Sequence, residues 1–490
     1  MTVTLSREDL QTLDKDDLIE IILELVEKLD RQGKQIQELE CAAARQAARF
    51  SKGEGKAHKK KPGRKKGKGV FTNRKEPKAR LSDKVETTQV PLESDKCPEC
   101  GEVLDVEVEI ASTVDIPAEP QRIIRRFEVE TGKCPYCGAK VRGEHPDLPA
   151  NQHGATAHRV GANVMGQALS MHYHSGMTLR KTAEANSIIT GISITQGALT
   201  QSAKKLCKQD GPLGKAYQGL RDEISQEPVV NTDDTGWRTG GQPSYLMGFF
   251  TPMLAVFQVR DRHRHQEVQE MLGEDFDGIL GTDRGTSYEA QVFDELQQQK
   301  CLSHLLKNLS TVEKTKRGPA RCFTLKIKKT LRSGLKLWQG YKAGEINGEE
   351  YRRRGKEIDE ELSYQLRDRL LTDADNQRML DGIGMQHDRG RVFLFLTHPE
   401  VEPTNNSAER GLRPAVIARK VSQCSRNATG AGIFEAMKSI TTTLALRGIN
   451  VSKSLADLIR GGAMPAKPSV ALQMKWEFRR SSLEEWLGRS

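Results

Sequence analysis

Between residues 229 and 283 the sequence alternates apolar runs with turn residues in an order that leaves few folds open. Val229-Val230-Asn231-Thr232-Asp233-Asp234-Thr235-Gly236-Trp237-Arg238 opens as an apolar strand and ends in two carboxylates. Ser244 to Phe250 and Leu254 to Arg260 read as two more strands, rich in aromatic and aliphatic residues. Gly240-Gly241 and Thr251-Pro252 supply the turns, which predicts an antiparallel meander. A helix is expected over His265 to Leu272, and Gly278 to Asp283 reads as a second buried strand ending in a carboxylate.

Meander, helix and strand are the opening of a ribonuclease-H-like fold, where adjacent strands bring carboxylates together. A third acid, Glu409, stands in Asn405-Asn406-Ser407-Ala408-Glu409-Arg410-Gly411-Leu412-Arg413-Pro414. Asn405 or Asn406 is expected to cap a short helix carrying it, which Pro414 should end or kink. Clustered carboxylates repel unless cations neutralise them, and hard oxygen ligands suit Mg2+ or Mn2+. Two such ions about 4 Å apart can activate an attacking oxygen and stabilise a leaving one in phosphoryl transfer. Taken singly, Asp233, Asp283 and Glu409 are ordinary strand-end or helix-cap carboxylates. Their contexts together suggest a site.

Cys97-Pro98-Glu99-Cys100 and Cys134-Pro135-Tyr136-Cys137-Gly138 are two knuckles with 33 residues between them. Two C-x-x-C pairs supply four thiolates to a tetrahedral Zn2+, and a filled ligand set makes that zinc structural. Gln121 to Glu130 reads as a strand leading into the second knuckle of a zinc ribbon. The chain has nine cysteines, an odd count that argues against a disulfide framework. Its N-terminus does not read as a signal peptide, and its most apolar stretch, Tyr245 to Val259, is too short to span a bilayer. A reducing cytoplasm and no membrane partner are the expectation.

The net charge of +10 is concentrated in one segment. Arg49 to Arg80 holds 14 Lys and Arg against Glu54 and Glu76, so the rest of the chain is slightly acidic. A run of this kind binds a polyanion or is a solvated linker. Lys59, Lys60, Lys61, Arg64, Lys65 and Lys66 are its candidate DNA contacts, and the Gly and Pro among them keep it extended, as in an AT-hook. Before it, Leu18, Ile22, Leu25, Leu29, Gln32, Ile36 and Leu39 recur at the steps of a coiled-coil seam, which predicts self-association. Further on, Leu179 to Ile189 and Ser193 to Leu206 have helix-turn-helix proportions, with a capping box at Ser193 and Gln196. Thr195, Gln196 and Thr200 are the residues such a second helix would offer to base edges; an ordinary helical hairpin is the equal alternative.

The order of coiled coil, basic segment, Cys-Pro-x-Cys motif, Asp-Asp-Thr-Gly-Trp, Asp283 with Tyr288, Cys301-Leu302-Ser303-His304 and Asn-Asn-Ser-Ala-Glu-Arg-Gly-Leu-Arg-Pro resembles the insertion-sequence sixty-six family of bacterial transposases. The resemblance covers about Leu13 to Leu446 and implies a DDE catalytic domain. It makes Asp233, Asp283 and Glu409 the catalytic ligands of two divalent ions, with Asp234 a neighbour of Asp233. Cys301 and His304 resemble a C-x-x-H signature of related families; two ligands make only half a zinc site, so they read as packing or hydrogen-bonding residues near the active site. Arg410, Arg413, Arg419 and Lys420 stand beside the third acid, where cations could hold phosphates.

The expected architecture is a multidomain α/β chain with a coiled coil over 1–48, a basic linker over 49–80 and a zinc-binding domain over 81–145. A helical DNA-binding domain over 146–227 and a ribonuclease-H-like catalytic core over 228–460 follow, the core with a helical insertion at 310–386, and then a tail over 461–490. The expected function is metal-dependent cleavage of DNA at element ends and transfer of the freed 3′-hydroxyl into target DNA. The partners implied are DNA, a second copy of the chain and accessory proteins, in a bacterial cytoplasm at the nucleoid. The alternatives are a catalytically silent zinc-ribbon DNA-binding protein and a nuclease that cuts without joining.

Overall fold

A computed structural model describes residues 122–143, 145–147, 160–367 and 370–468, with isolated positions 26, 32, 87 and 89. The chain divides into two units, Met1–Leu104 with Met474–Ser490, and Asp105–Gln473; every element below belongs to the second. The coiled-coil seam, apart from an isolated helical position at Gln32, the basic linker and Cys97 with Cys100 lie outside the described residues.

The first elements are a hairpin of β1 (Thr131–Lys133) and β2 (Lys140–Arg142). The strand expected over Gln121 to Glu130 is not a strand among its described residues. Residues 122–130 join no ladder, and pairing starts where the Glu130 carbonyl accepts from Gly143 N at 3.0 Å. A strand needs a neighbour for its backbone groups, and only the three residues nearest the knuckle have one.

Four helices follow: α1 (Ala162–Leu169), α2 (Leu179–Thr190), α3 (Gln196–Leu206) and α4 (Pro212–Ile224). Gly191, at φ 64°, ends α2 in the left-handed conformation that a residue without Cβ adopts cheaply. The expected capping box is replaced. Ile194 is buried in the core, so the helix starts after it, and Thr195 is the cap, its hydroxyl accepting from Ala198 N at 3.1 Å. Ser193 meets Ser187 instead, with hydroxyls 3.4 Å apart.

The meander forms as β3 (Val229–Thr239), β4 (Gln242–Phe250) and β5 (Ala255–Arg260), followed by α5 (His265–Leu272) and β6 (Ile279–Thr282). A further strand, β7 (Gln298–Lys300), has no apolar residue. The sheet order is β5-β4-β3-β6-β7, antiparallel through the meander and parallel from β3 to β7. Five helices then intervene: α6 (Leu302–Glu313), α7 (Gly318–Lys342), α8 (Gly348–Leu366), α9 (Ala374–Asp388) and α10 (Leu394–Thr397). These helices run from Leu302 to Thr397, beyond the expected 310–386 at both ends. They share a core in which Leu305, Leu309, Leu331, Tyr351 and Phe395 are buried together with Ile279 of β6. Three helices close the described chain: α11 (Asn406–Ser422), α12 (Ala428–Leu446) and α13 (Val451–Ile459).

Side chains alternate across the sheet, so each face has its own partner. Val230, Met247, Phe249 and Val256 pack with Leu169, Leu199, Leu220 and Leu455 in one core. The boundary expected at 227 thus falls inside continuous apolar packing. Trp237, Leu246, Phe250 and Phe257 point the other way and receive Ala408, Leu412 and Ala415 of α11. This burial carries α11 through Pro414 to Ser422, so of the expected end or kink the proline does not bring the end. The ring removes one hydrogen-bond donor on the solvent side, while the apolar stripe holds the helix down.

The outer edge of β5 would expose unpaired amides. Helix α12 covers it with polar side chains four residues apart. Glu435 Oε1 accepts from Val259 N at 2.7 Å, Ser439 Oγ from Phe257 N at 2.9 Å and Thr443 Oγ1 from Ala255 N at 3.1 Å. Four helical residues rise about 6 Å and two strand residues about 6.6 Å, so the two periods match. No helix among the described residues is long and apolar enough to cross a membrane.

Candidate active site

Asp233 sits opposite Gly248 on β3, on the face covered by α11. Parallel pairing sets Asn231 beside Gly281, and the same register carried two residues further puts Asp283 alongside Asp233. Gly285 N donates to Asp283 Oδ1 at 2.8 Å, which steadies that carboxylate just beyond β6. Glu409 lies in the first turn of α11, half-exposed. Asn405 occupies the cap position, but its side chain does another job: Nδ2 donates to Thr232 O at 2.7 Å, pinning the helix start to β3.

The three acids predicted from sequence come together electrostatically. Burial first, and then the negative charges of Asp283, Asp234 and Glu409, push the Asp233 carboxyl up to about 7, although the Asp234 amide donates to it at 3.0 Å. Hard oxygen donors gathered on one partly buried face fit a divalent cation, which would neutralise them.

Asp234 behaves differently. It faces the opposite side of β3, where its Oδ2 meets His263 Nδ1 at 2.9 Å. His263 in turn stacks on Tyr245 with ring centroids 3.9 Å apart. Sequence reasoning missed His263, because the loop before α5 carries no signal that it folds back to β3. Thr232, on the same face as Asp234, lies 3.2 Å from the buried hydroxyl of Tyr288.

Behind Asp283 is a buried cation that sequence reasoning also missed. Lys300 is fully buried, with its Nζ 2.6 Å from Glu289 Oε1 and bonded to Gln298 Oε1 at 2.8 Å and Thr282 Oγ1 at 3.2 Å. Arg391, 2% exposed, meets the other oxygen of Glu289 at 3.4 Å. Such charges stay buried because each is paired.

Cys301 and His304 belong to the site more directly than their spacing suggested. Cys301 caps α6 and is buried; its sulfur accepts from Asn405 N at 3.1 Å. Burial alone would raise the thiol, but His304 and the N–H groups of Asn405 and His304 hold it below its ordinary value. His304 Nε2 lies 3.8 Å from Glu409 Oε1. The half site expected from two ligands therefore has a third, since ligand atoms of Cys301, His304 and Glu409 all lie within 4.8 Å of one another.

The flanking cations divide. Arg410, Arg413 and Lys420 are exposed on α11, whereas Arg419 reaches back to β3, donating to Thr235 Oγ1 at 3.1 Å and to the Gly236 carbonyl. Thr195 spends its hydroxyl on the α3 cap, and Gln196 is exposed beside it. In the second knuckle, Cys134 and Cys137 face each other across a tight turn closed by Cys134 N to Ala139 O at 2.7 Å, with Gly138 at φ 72°. N–H groups of Cys137 and Tyr136 directed at Cys134 hold its thiol below the ordinary value, which suits a thiolate ligand for zinc.

A mixed α/β protein with Asp233 inside β3, Asp283 just beyond the neighbouring β6 and a helix bearing Glu409 laid against the sheet is the class defined so far. Residues 158–433, more than half of the chain, match the model of the transposase IS66 family, and the chain belongs to that family. No curated protein matches. The solved structures that match include a crystal structure of the Mos1 strand transfer complex, 12% identical over 31% of this chain and 60% of that chain, with a TM-score of 0.12. The match spans about three-fifths of that chain's length.

Proposed function

We propose that this chain is a DDE transposase of ribonuclease-H-like fold that cleaves DNA at the ends of a mobile element and joins them to target DNA. The observation that carries the reading is the gathering of Asp233, Asp283 and Glu409, whose charges meet although 176 positions separate the first from the last. The antiparallel meander continued by two parallel strands supports the fold.

In this reading Asp233, Asp283 and Glu409 hold Mg2+ or Mn2+, which supplies charge neutralisation for an in-line displacement at phosphorus. The protein's part is placement. Asp233 stands on β3 and Asp283 just beyond the end of the neighbouring β6, Asn405 anchors the start of α11 to β3, and Glu409 completes the set from the helix. Arg410, Arg413 and Lys420 hold flanking phosphates, while Arg419 braces helix against strand. Water attacks first at the element end, and the freed 3′-hydroxyl then attacks target DNA without a covalent enzyme intermediate. Cys97, Cys100, Cys134 and Cys137 hold a structural zinc. The basic linker, with Thr195 and Gln196, adds DNA contacts, and the coiled coil pairs two copies.

The test is an assay with element-end DNA and Mg2+ that scores nicking and strand transfer separately. Asp233→Asn, Asp283→Asn and Glu409→Gln should each abolish both with DNA binding retained; Asp234→Asn should be milder, since that side chain pairs with His263 on the other face. Nicking without joining would make the chain a nuclease, and binding without either would make it a silent DNA-binding protein. Normal strand transfer by Glu409→Gln would end the proposal.

A further inference from the structure

Glu409 faces two ways. On one side are Asp233 and Asp283, an all-oxygen set; on the other are the sulfur of Cys301 and the ring of His304. We propose that Cys301, His304 and Glu409 form a site for a borderline-soft divalent ion, best met by Zn2+, whose occupation withdraws Glu409 from the hard-cation cluster.

Geometry and ligand chemistry carry this. Zinc bonds of about 2.0–2.3 Å to N, O and S place tetrahedral ligands roughly 3.5 Å apart. The 3.8 Å between His304 Nε2 and Glu409 Oε1 is close to that spacing, and the ligand atoms of all three residues lie within 4.8 Å of one another. The two protein ligands on α6 are fixed: Cys301 caps the helix, is buried and is braced by Asn405 N, and His304 follows one turn later. His304 Nδ1 is buried without a hydrogen-bond partner among the described residues, and the ring already interacts with the Cys301 sulfur. Thiolate and imidazole favour zinc, whereas three carboxylates favour magnesium or manganese, so the two half-sites compete for Glu409 by metal type. Three protein ligands leave a fourth position for solvent. Binding releases the Cys301 thiol proton and uses the lone pair of a neutral imidazole.

The consequence for catalysis rests on the proposed role of Glu409; the binding does not. The first experiment is a Co2+ titration of the full-length chain, following the thiolate-to-cobalt band and the d–d bands. Wild type should take up about one equivalent more than Cys301→Ser, with the extra thiolate intensity absent in that variant. His304→Gln, at a half-exposed position where folding is not at risk, should weaken the same uptake by more than about tenfold. Equal uptake and equal band intensity in wild type and both variants would overturn the site. The second experiment adds Zn2+ to Mg2+-supported cleavage: suppression in wild type that is relieved in Cys301→Ser is expected. Filling of the site without suppression would overturn the competition, and absence of cleavage in Mg2+ alone would count against the transposase reading while leaving the Co2+ result to judge the metal site.

Discussion

Gly411 lies flat against the ring of Phe250: a methyl group on its Cα would come within 2.3 Å of the ring edge. Gly248, opposite Asp233 on β4, is equally tight, since a Cβ there would stand 2.5 Å from the same ring. These two glycines let α11 approach the sheet closely, and Glu409 is two residues before Gly411. Gly411→Ala should therefore destabilise the protein by about 1–3 kcal/mol through overpacking. Combining it with Phe250→Leu should recover part of that loss, because the two changes share one contact. Denaturant melts of the three variants measure it; a Gly411→Ala protein as stable as wild type would show that the close approach is absent.

The Asp233 carboxyl predicts how stability depends on pH and metal. Its folded value, about 7, lies above the unfolded value, so the contribution from this group is full at low pH and is lost as pH rises through about 7. A divalent cation removes the repulsion. Mg2+ should raise the melting temperature more at pH 8 than at pH 5.5, and Asp233→Asn should flatten that difference. A magnesium effect independent of pH in wild type would contradict the electrostatic origin described.

Ser439→Ala would strand the Phe257 amide at the covered edge of β5. A loss of about 1–3 kcal/mol is expected, the cost of an unsatisfied buried donor. Ser439→Thr keeps the hydroxyl and should lose less. Amide exchange at Phe257 is the direct readout, and unchanged protection in Ser439→Ala would show that another group takes over.

Metal analysis of the Cys301→Ser protein should find about one zinc per chain, lost when Cys134→Ser is added. Deleting residues 1–80 should leave that zinc in place while flattening the salt dependence of DNA binding, because fewer counterions are released. The same deletion should lower the oligomer mass measured by light scattering. A truncation with the wild-type slope and mass would remove the DNA and pairing roles from that segment.

Local patterns in the sequence carried the meander, α5 and β6 because each element announces itself by its own residues. Strands β4 and β5 agree with the reading to within two residues, whereas β3 runs on to Thr239, past the two carboxylates expected to end it, because β4 pairs with it along that whole length. The preference for Asp233 over Asp234 came from motif position; alternation along β3 places the two on opposite faces. Strand β7 was invisible. Gln298, Gln299 and Lys300 are polar, yet all three are buried, because Glu289, Tyr288 and Val392 come from distant positions to bond them. The helix end allowed at Pro414 was misread for a related reason: a proline's local cost is legible in sequence, but the burial of Ala408, Leu412 and Ala415 that outweighs it is not.

The same division holds at the site. The sequence by itself determined which three acids stand out, that two knuckles of cysteines exist and that a basic segment is set apart from a nearly neutral remainder. Only the tertiary structure decided that Glu409 meets Cys301 and His304, that Asp234 turns to His263 and that Arg419 holds β3. The physical reason is the origin of the contacts: periodicity and turn chemistry act between residues a few positions apart, whereas these depend on which face of α11 the sheet accepts.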